Sequence, residues 1–359
     1  MSLTQAVLLL KDGTFFKGNA LGKIGTTTGE ICFNTGMTGY QEVFTDPSYY
    51  GQILVQTNVH IGNYGVNEQE IESDGIKISG LVCSTFANHH SRKMSFASLE
   101  DYFVNNQVVG IQNLDTRQVV RHVRNAGAMN AILSSEVTDI NELKAILDRV
   151  PDMEGLELSS KVSTPQFYLR GSDQSEFKVA VLDFGVKNTM LQCLNDRGAQ
   201  CGVFNAHATI EEIMAWNPNG VLISNGPGDP SAMDYAVKTV QALMQNNVPL
   251  FGICLGNQLL GRAMGMETFK MHNGHRGLNH PVKNLLTGHS EITTQNHGFA
   301  LKPGDFPELE VTHINLNDDT IEGIRVKGRK AFSVQYHPES SPGPHDSRYL
   351  FDSFFESMK

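Results

Sequence analysis

A cysteine between a predicted strand and a predicted helix is the residue of this sequence best placed for covalent chemistry. Cys254 follows the apolar residues 249–253 and precedes an amphipathic segment that begins Leu-Gly. A thiol at such a turn leaves the sheet, and the unsatisfied N–H groups of a helix N-terminus favour its thiolate form. The N–H of the next residue can bind an oxyanion, as in serine nucleophile elbows. The alternative is a small apolar residue buried at the end of a core strand.

A cysteine nucleophile also needs a base, and the base needs a group that orients it. His337 ends a predicted strand, residues 331–336, and Glu339 follows two positions later, so both side chains leave an extended chain on one face. Pro338 biases His337 toward that extended conformation. We predict that Glu339 holds one imidazole nitrogen while the other faces the thiol. His297 is the rival base, but it has no acidic neighbour to orient it. The alternative for the His337 motif is a surface turn, of which a lone His-Pro-Glu is equally typical.

Two further segments offer backbone groups at the same edge of the sheet. The apolar residues 221–223 lead into Ser-Asn-Gly-Pro-Gly-Asp-Pro at 224–230, where glycines allow a ligand to approach N–H groups closely. Residues 295–299, Gln-Asn-His-Gly-Phe, follow another predicted strand. Gly-Pro-Gly by itself is equally typical of a tight turn.

The order of the predicted elements indicates two domains of the α/β class. Strands and helices alternate from about residue 178, which predicts a doubly wound, mostly parallel sheet with Cys254 at the carboxyl end of a strand. A last helix is predicted from about Asp346. Residues 1–150 form a mixed α/β domain, and the polar residues 151–177 are predicted to link it to the domain at 178–359.

The N-terminal domain carries no recognisable chemistry of its own. Asp12-Gly13 predicts a hairpin, and Asp115 and Gly127 delimit a predicted helix. Three arginines at helical spacing on that helix form either a solvated face or a partner-binding face: Arg117, Arg121 and Arg124. Neither metal-ligand spacing nor a phosphate-binding loop is present, so we expect a docking and positioning domain.

Composition narrows the functional classes. The formal net charge of −10 and pI near 5.7 argue against nucleic acid and anionic membranes as partners. Five scattered cysteines indicate free thiols in a reducing cytoplasm. The apolar run at residues 6–10 is too short for a signal or membrane-spanning helix.

The motifs of the C-terminal half resemble the class I (triad) glutamine amidotransferases. They are Gly252-Ile-Cys254-Leu-Gly256-Asn257-Gln258, residues 225–230 and His337-Pro-Glu339. The resemblance implies glutamine hydrolysis through a γ-glutamyl thioester on Cys254, with His337 as base and acid and Glu339 as its orienting group. It implies an oxyanion hole from two backbone N–H groups, those of Gly226 and Leu255. The residues implied to bind glutamine are Ser48, Gly226, Gly228, Leu255, Gln258, Asn296, Gly298 and Phe299.

The first half resembles the small subunits of carbamoyl-phosphate synthetases. The residues that carry this resemblance are 35–42, 45–49, 56–65 and 114–128, with 273–282 in the second half. It implies L-glutamine as substrate and a large synthetase subunit as partner, which would hold ATP, Mg²⁺ and bicarbonate, so no cofactor and no metal is expected in this chain. Use of the product for arginine, pyrimidines or both is left open. The alternatives are an amidotransferase for another acceptor, such as chorismate or xanthosine monophosphate, and a catalytically dead scaffold.

Overall fold

The computed structural model describes residues 4–359, which divide into two compact units. The first unit ends at Met153, and the second comprises Glu154–Lys359. Each unit combines strands with helices, so the predicted α/β class is confirmed. In residues 4–359 we find no helix with both the length and the apolar character needed to cross a bilayer.

The first unit is built on a closed barrel of seven strands. The strands of this unit are β1 (Gln5–Leu10), β2 (Phe15–Gly22), β3 (Thr26–Asn34), β4 (Gln52–Gln56), β5 (His60–Ile61), β6 (Gly80–Val82), β7 (Thr85–Phe86), β8 (Val109–Gln112) and β9 (Asn130–Ser134). The barrel order is β1-β2-β8-β6-β4-β3-β9, while β5 and β7 pair separately. The helices are α1 (Tyr40–Thr45), α2 (Leu99–Asn105), α3 (Thr116–Ala126) and α4 (Ile140–Leu147).

Strand β1 shows why the sequence begins with a continuous apolar run. Leu8 on one face joins a cluster shared with other barrel strands and α3. Val7 and Leu9 on the other face pack against Leu143 and Leu147 of α4. Because both faces of the strand are buried, its sequence does not alternate between apolar and polar residues.

The local signals read from the N-terminal sequence are confirmed. Strands β1 and β2 form the hairpin predicted at Asp12-Gly13, with Leu9 opposite Phe15. Helix α3 begins after Asp115, whose side chain accepts a hydrogen bond from the Gln118 N–H, and it ends before Gly127. All three arginines of this helix are exposed: Arg117, Arg121 and Arg124.

The second unit contains one sheet of ten strands. Its strands are β10 (Tyr168–Arg170), β11 (Phe177–Asp183), β12 (Ala199–Asn205), β13 (Gly220–Ile223), β14 (Leu250–Ile253), β15 (Thr268–Asn284), β16 (Ser290–Leu301), β17 (Leu309–Asn315), β18 (Ile321–Val326) and β19 (Ala331–Val334). The helices are α5 (Asn188–Asn195), α6 (Ile210–Ala215), α7 (Asp234–Gln245), α8 (Leu255–Ala263) and α9 (Tyr349–Met358).

This sheet has a parallel centre and an antiparallel extension. Strands β12, β11, β13, β14 and β19 are parallel neighbours in that order. Along the chain, one α-helix each connects β11 to β12, β12 to β13 and β13 to β14. This centre is the alternating segment predicted from the sequence. Beyond β19 the sheet continues through the antiparallel strands β18, β17, β15 and β16. All parallel strands end at one edge, where α/β sheets place their ligand sites.

Residues 154–177, the larger part of the predicted linker, belong to the second unit. Strand β10 pairs with β12. The Ser159 hydroxyl donates to Pro227 O at 2.9 Å, and the Thr164 N–H donates to an Asp183 carboxylate oxygen at 2.7 Å. Polar residues of this segment therefore form hydrogen bonds to the end of β11 and to the loop after β13.

Candidate active site

Cys254 lies at a strained turn between β14 and α8. Its backbone has φ 56° and ψ −102°, a conformation that costs a residue with a side chain on the order of 1–3 kcal/mol. The flanking glycines allow the turn: a Cβ on Gly256 would lie 2.1 Å from Ile223 O, and one on Gly252 would lie 2.6 Å from Gly256 O. The spacing Gly-x-Cys-x-Gly therefore reflects close packing of α8 against the strands, which holds the thiol at the helix N-terminus.

The pairing of β14 with β19 brings His337 to the same edge as Cys254. The two strands run parallel with Ile253 opposite Val334, and the Cys254 N–H donates to Val334 O at 2.9 Å. Cys254 is 2% exposed and His337 is 1% exposed. The nucleophile and the base predicted from the sequence are thus buried together at the carboxyl ends of adjacent strands.

Glu339 holds one nitrogen of the His337 ring, as the spacing of the two residues predicts. The distance from His337 Nδ1 to Glu339 Oε1 is 2.8 Å, and neither side chain reaches solvent. With Nδ1 donating to the carboxylate, Nε2 is the nitrogen that can exchange a proton. The Cys254 side chain contributes to the raised pKa of His337.

Lys187 is a site residue that sequence reasoning missed. Its Nζ donates to Glu339 Oε1 at 3.0 Å and to Ser341 O at 2.9 Å, and the side chain is 2% exposed. Lys187 lies between β11 and α5, so the signal was its position just after a strand of the parallel centre. An ordinary-looking lysine there gives no hint of a carboxylate partner 152 residues later.

Neighbouring side chains shift the pKa values of His337 and Glu339, and these shifts oppose the effect of burial. Burial by itself lowers the pKa of His337, but Glu339 and the Cys254 thiol raise it to about 10. Burial by itself raises the pKa of Glu339, but Lys187 and His337 lower it to about 2. Glu339 is thus held ionised, and the protonated form of His337 is favoured when a negative sulfur lies beside it. A proton that leaves the Cys254 thiol therefore has a stable place on the ring, and the charges of the imidazolium and the thiolate balance.

The two residues predicted to supply the oxyanion donors pack against each other. Leu255 is the first residue of α8, so its N–H has no acceptor within the helix. Gly226 follows β13, and a Cβ there would lie 2.9 Å from Leu255 Cδ2 and 2.2 Å from Phe184 O. Only glycine fits this position, which leaves its backbone next to the start of α8.

Asn296, Gly298 and Phe299, predicted to follow a strand, lie within β16, and this strand runs beside the nucleophile. The Cys254 thiol donates to Asn296 O at 3.7 Å. Gln258 Nε2 donates to Phe299 O at 2.8 Å. Gly298 lies between these two positions on the strand. The side-chain N–H of Gln258 is thus used within the protein, and β16 is fixed against α8.

Two further residues predicted to bind glutamine are Gly228 and Ser48. Gly228 has φ +97°, and a Cβ there would lie 2.7 Å from Leu156 O, so its backbone packs against the segment that precedes β10. Ser48 belongs to the first unit, in a 3₁₀ turn where its N–H donates to Asp46 Oδ1 at 2.9 Å. Their contact with glutamine remains a prediction.

Among the described residues, one group offers ligand atoms close enough for a metal ion, all within 4.8 Å of one another: His275, His297 and Glu322. His275 lies between two carboxylates, with Nε2 2.9 Å from Asp318 Oδ2 and Nδ1 3.5 Å from Glu322 Oε1. Burial by itself lowers the pKa of His275, but Glu322 and Asp318 raise it above its usual value. The two carboxylates thus favour the protonated form of His275.

His297, the rival base, is held in place by other groups. Its Nδ1 lies 2.9 Å from Phe299 O, and its Nε2 lies 2.6 Å from Gln295 Oε1. Burial lowers its pKa well below the usual range, so the ring is neutral and carries one N–H, which donates to Phe299 O. Nε2 is then an acceptor, to which the Gln295 amide presents its NH₂ group. With both ring nitrogens engaged and no carboxylate among these partners, His297 is suited to shaping β16.

Comparisons with known proteins cover both units of the chain. Residues 180–357 match the family described as "Glutamine amidotransferase class-I". Residues 8–133 match the family described as "Carbamoyl-phosphate synthase small chain, CPSase domain". These two matches coincide with the two halves in which the sequence motifs occur.

Full-length relatives carry the same description. The chain is 46% identical over 362 residues to the carbamoyl phosphate synthase small chain of Chlorobaculum tepidum, with 100% of this chain and 99% of the relative covered. It is 47% identical over 375 residues to that of Synechococcus sp., with 100% and 95% covered. For Thermotoga maritima the values are 44% over 387 residues, with 99% and 98% covered. The chain belongs to the carbamoyl phosphate synthase small chain family.

The charged group makes a pH-dependent contribution to stability that one substitution tests. The lowered pKa of Glu339 stabilises the fold above pH 4.5 and less as pH falls toward about 2. The raised pKa of His337 stabilises it below pH 6.5 and less as pH rises toward about 10. Glu339→Gln should therefore lower the free energy of unfolding most between pH 4.5 and pH 6.5, where both contributions are fully present. The expected loss is about 3 kcal/mol, as for a broken buried ion pair. Urea unfolding across the pH range measures this loss.

Asp352→Asn is the matched control, because it removes one carboxylate from the exposed Arg197–Asp352 pair. It should change stability little at any pH. A loss in Glu339→Gln that stayed constant with pH would show that Glu339 and His337 do not form a charged pair.

Proposed function

We propose that this chain is the glutaminase subunit of a carbamoyl-phosphate synthase. In this proposal it hydrolyses L-glutamine to glutamate and ammonia, and a large synthetase subunit uses the ammonia to make carbamoyl phosphate. One observation carries the proposal. Cys254 lies at a strained helix N-terminus, and beside it the buried side chains of His337, Glu339 and Lys187 are joined by hydrogen bonds. Family membership over the full length supports the particular synthetase.

The first half of the proposed reaction forms a thioester. His337 Nε2 takes the thiol proton, and the sulfur of Cys254 attacks the side-chain amide carbon of glutamine. The carbonyl oxygen becomes an oxyanion that the N–H groups of Gly226 and Leu255 stabilise. His337 then returns the proton to the amide nitrogen, the C–N bond breaks, and ammonia leaves.

The second half restores the enzyme. Water attacks the γ-glutamyl thioester while His337 Nε2 accepts its proton, and a second oxyanion forms in the same place. The C–S bond then breaks, the proton passes to sulfur, and glutamate leaves. Glu339 keeps the ring oriented through both halves and stabilises its protonated form. Lys187 in turn keeps Glu339 ionised at a site where burial opposes a charge.

Binding of glutamine is assigned to the loop after β13, the start of α8 and strand β16. We infer that these elements surround the side-chain amide, through Gly226, Gly228 and Leu255 and through Asn296, Gly298 and Phe299. Gln258 is already hydrogen-bonded to Phe299 O, so its part is to hold β16 in position. Ser48 of the first unit completes the proposed set.

The partner in this proposal is the large synthetase subunit, which holds ATP, Mg²⁺ and bicarbonate. Ammonia that escaped into water would be protonated and lost as a nucleophile, so we propose an enclosed route from Cys254 into the partner. The first unit is the proposed docking domain, since it contains none of the proposed triad residues. The cytoplasm is the proposed location, on the evidence that all five cysteines are free thiols.

Replacing the nucleophile tests the function directly. Cys254→Ser should lower glutamine-dependent carbamoyl phosphate synthesis by several orders of magnitude. Synthesis from added ammonia should survive when the chain is assembled with its large subunit, because that chemistry takes place on the partner. Cys193→Ser, at another buried cysteine, is the control and should retain glutamine-dependent synthesis. Near wild-type glutamine hydrolysis by Cys254→Ser would refute the assignment.

The two histidines should differ in the kinetic constant that they affect. His337→Asn removes the group that moves the proton and should lower kcat severely. His297→Asn disturbs the hydrogen bonds that fix β16 and should act mainly on KM for glutamine. Steady-state glutamine hydrolysis by the assembled enzyme measures both constants. The opposite pattern would transfer the role of base to His297.

A further inference from the structure

A buried network of amide side chains lies behind the nucleophile. Ser333 and Gln335 alternate with apolar neighbours at the end of β19, so their side chains share the face that packs against α8. The Ser333 hydroxyl donates to Asn257 Oδ1 at 2.9 Å, and Asn257 Nδ2 donates to Gln335 Oε1 at 3.2 Å. Each of these three side chains is at most 1% exposed. The network ends at Cys254, because Gln335 Nε2 lies 3.7 Å from its sulfur.

The direction of each hydrogen bond follows from one backbone carbonyl. Phe299 O can only accept, so the Gln258 atom 2.8 Å from it must be the Nε2 donor. The same Nε2 lies 3.1 Å from Gln335 Oε1, which must therefore be an acceptor. This fixes the amide orientation of Gln335, and its N–H points at the Cys254 sulfur. Gln335 Oε1 accepts from both Asn257 Nδ2 and Gln258 Nε2. These two hydrogen bonds polarise the amide and make its N–H a stronger donor.

The thiol thus has two partners of opposite character. It donates to Asn296 O at 3.7 Å and accepts from Gln335 Nε2 at the same distance. When the thiol proton moves to His337, the bond to Asn296 O is lost and that carbonyl dipole opposes the negative sulfur. The bond from Gln335 persists and strengthens, because hydrogen bonds to ionised acceptors are stronger.

We propose that Gln335 is the hydrogen-bond donor that stabilises the thiolate of Cys254, and that Asn257 and Gln258 orient it for this purpose. The proposal rests on the nucleophilic role given above to Cys254. Gln335 takes no proton and forms no bond to substrate; it lowers the cost of charge on the sulfur before attack. It also keeps the sulfur in one position while the acyl group is attached.

The sharpest test replaces the donor while keeping the shape. Gln335→Glu still accepts from Asn257 and Gln258 but presents an acceptor to the sulfur, and Gln335→Met presents neither. The readout is the rate of Cys254 alkylation by iodoacetamide as a function of pH, followed on the tryptic peptide in the absence of glutamine. Thiolate is the reactive form. We expect the pH of half-maximal alkylation to rise by about one unit in Gln335→Met, the shift for one lost hydrogen bond to a charged group, and further in Gln335→Glu.

Phe332→Leu is the matched control, since Phe332 lies on the opposite face of the same strand and stacks on Phe251. It should lower thermal stability and leave the pH of half-maximal alkylation unchanged. In glutamine hydrolysis by the assembled enzyme, Gln335→Met should lower kcat about tenfold, corresponding to the same one-unit shift, with KM nearly unchanged.

An unchanged alkylation profile in both folded Gln335 variants would overturn the proposal, even if kcat fell, because it would leave only a structural role. Should Gln335→Met fail to fold, Gln335→Glu decides the question alone, since it preserves both bonds to Oε1. The alkylation readout needs no glutamine. If the wild-type enzyme hydrolysed no glutamine but the Gln335 variants still shifted the alkylation profile, the proposed function would be refuted. The assignment of Gln335 as the thiolate donor would stand.

Discussion

The positive φ of Cys254 is the constraint around which the candidate active site of the second unit is arranged. A residue with a side chain avoids this conformation unless its surroundings impose it. Here α8 crosses β13 and β14 so closely that Gly252 and Gly256 have no room for a Cβ. The strain is therefore held by packing of the helix on the sheet, and the result is a thiol at a helix N-terminus with a free backbone N–H beside it.

The parallel centre of the sheet gathers the remaining groups around that turn. Lys187 follows β11, Gly226 follows β13, and His337 follows β19. Each comes from a separate part of the chain, but parallel strands deliver all of them to one edge. The buried charges then determine one another: Lys187 holds Glu339 ionised, and Glu339 stabilises His337 in the protonated form that it takes once it accepts the thiol proton. Apolar burial alone would neutralise each of these groups.

The sequence predicted the parts of this site that are encoded locally. The turn at Cys254 and the pair formed by His337 and Glu339 lie within single motifs, so spacing and residue type sufficed. Lys187 could not be assigned, because its partner is 152 residues away and no local pattern marks it. Of the antiparallel extension, only a strand before residue 295 was predicted; β15 was missed, since its register shifts interrupt the alternation that identifies a strand.

The central claim is that Cys254 carries the γ-glutamyl group during glutamine hydrolysis. The most direct measurement mixes the assembled enzyme with glutamine, quenches with acid within one turnover, digests the chain and determines peptide masses. We expect one added γ-glutamyl group on the peptide that contains Cys254, removed by hydroxylamine and absent from Cys254→Ser. A γ-glutamyl group on any of the other four cysteines, or turnover without an adduct under conditions that trap thioesters, would contradict it.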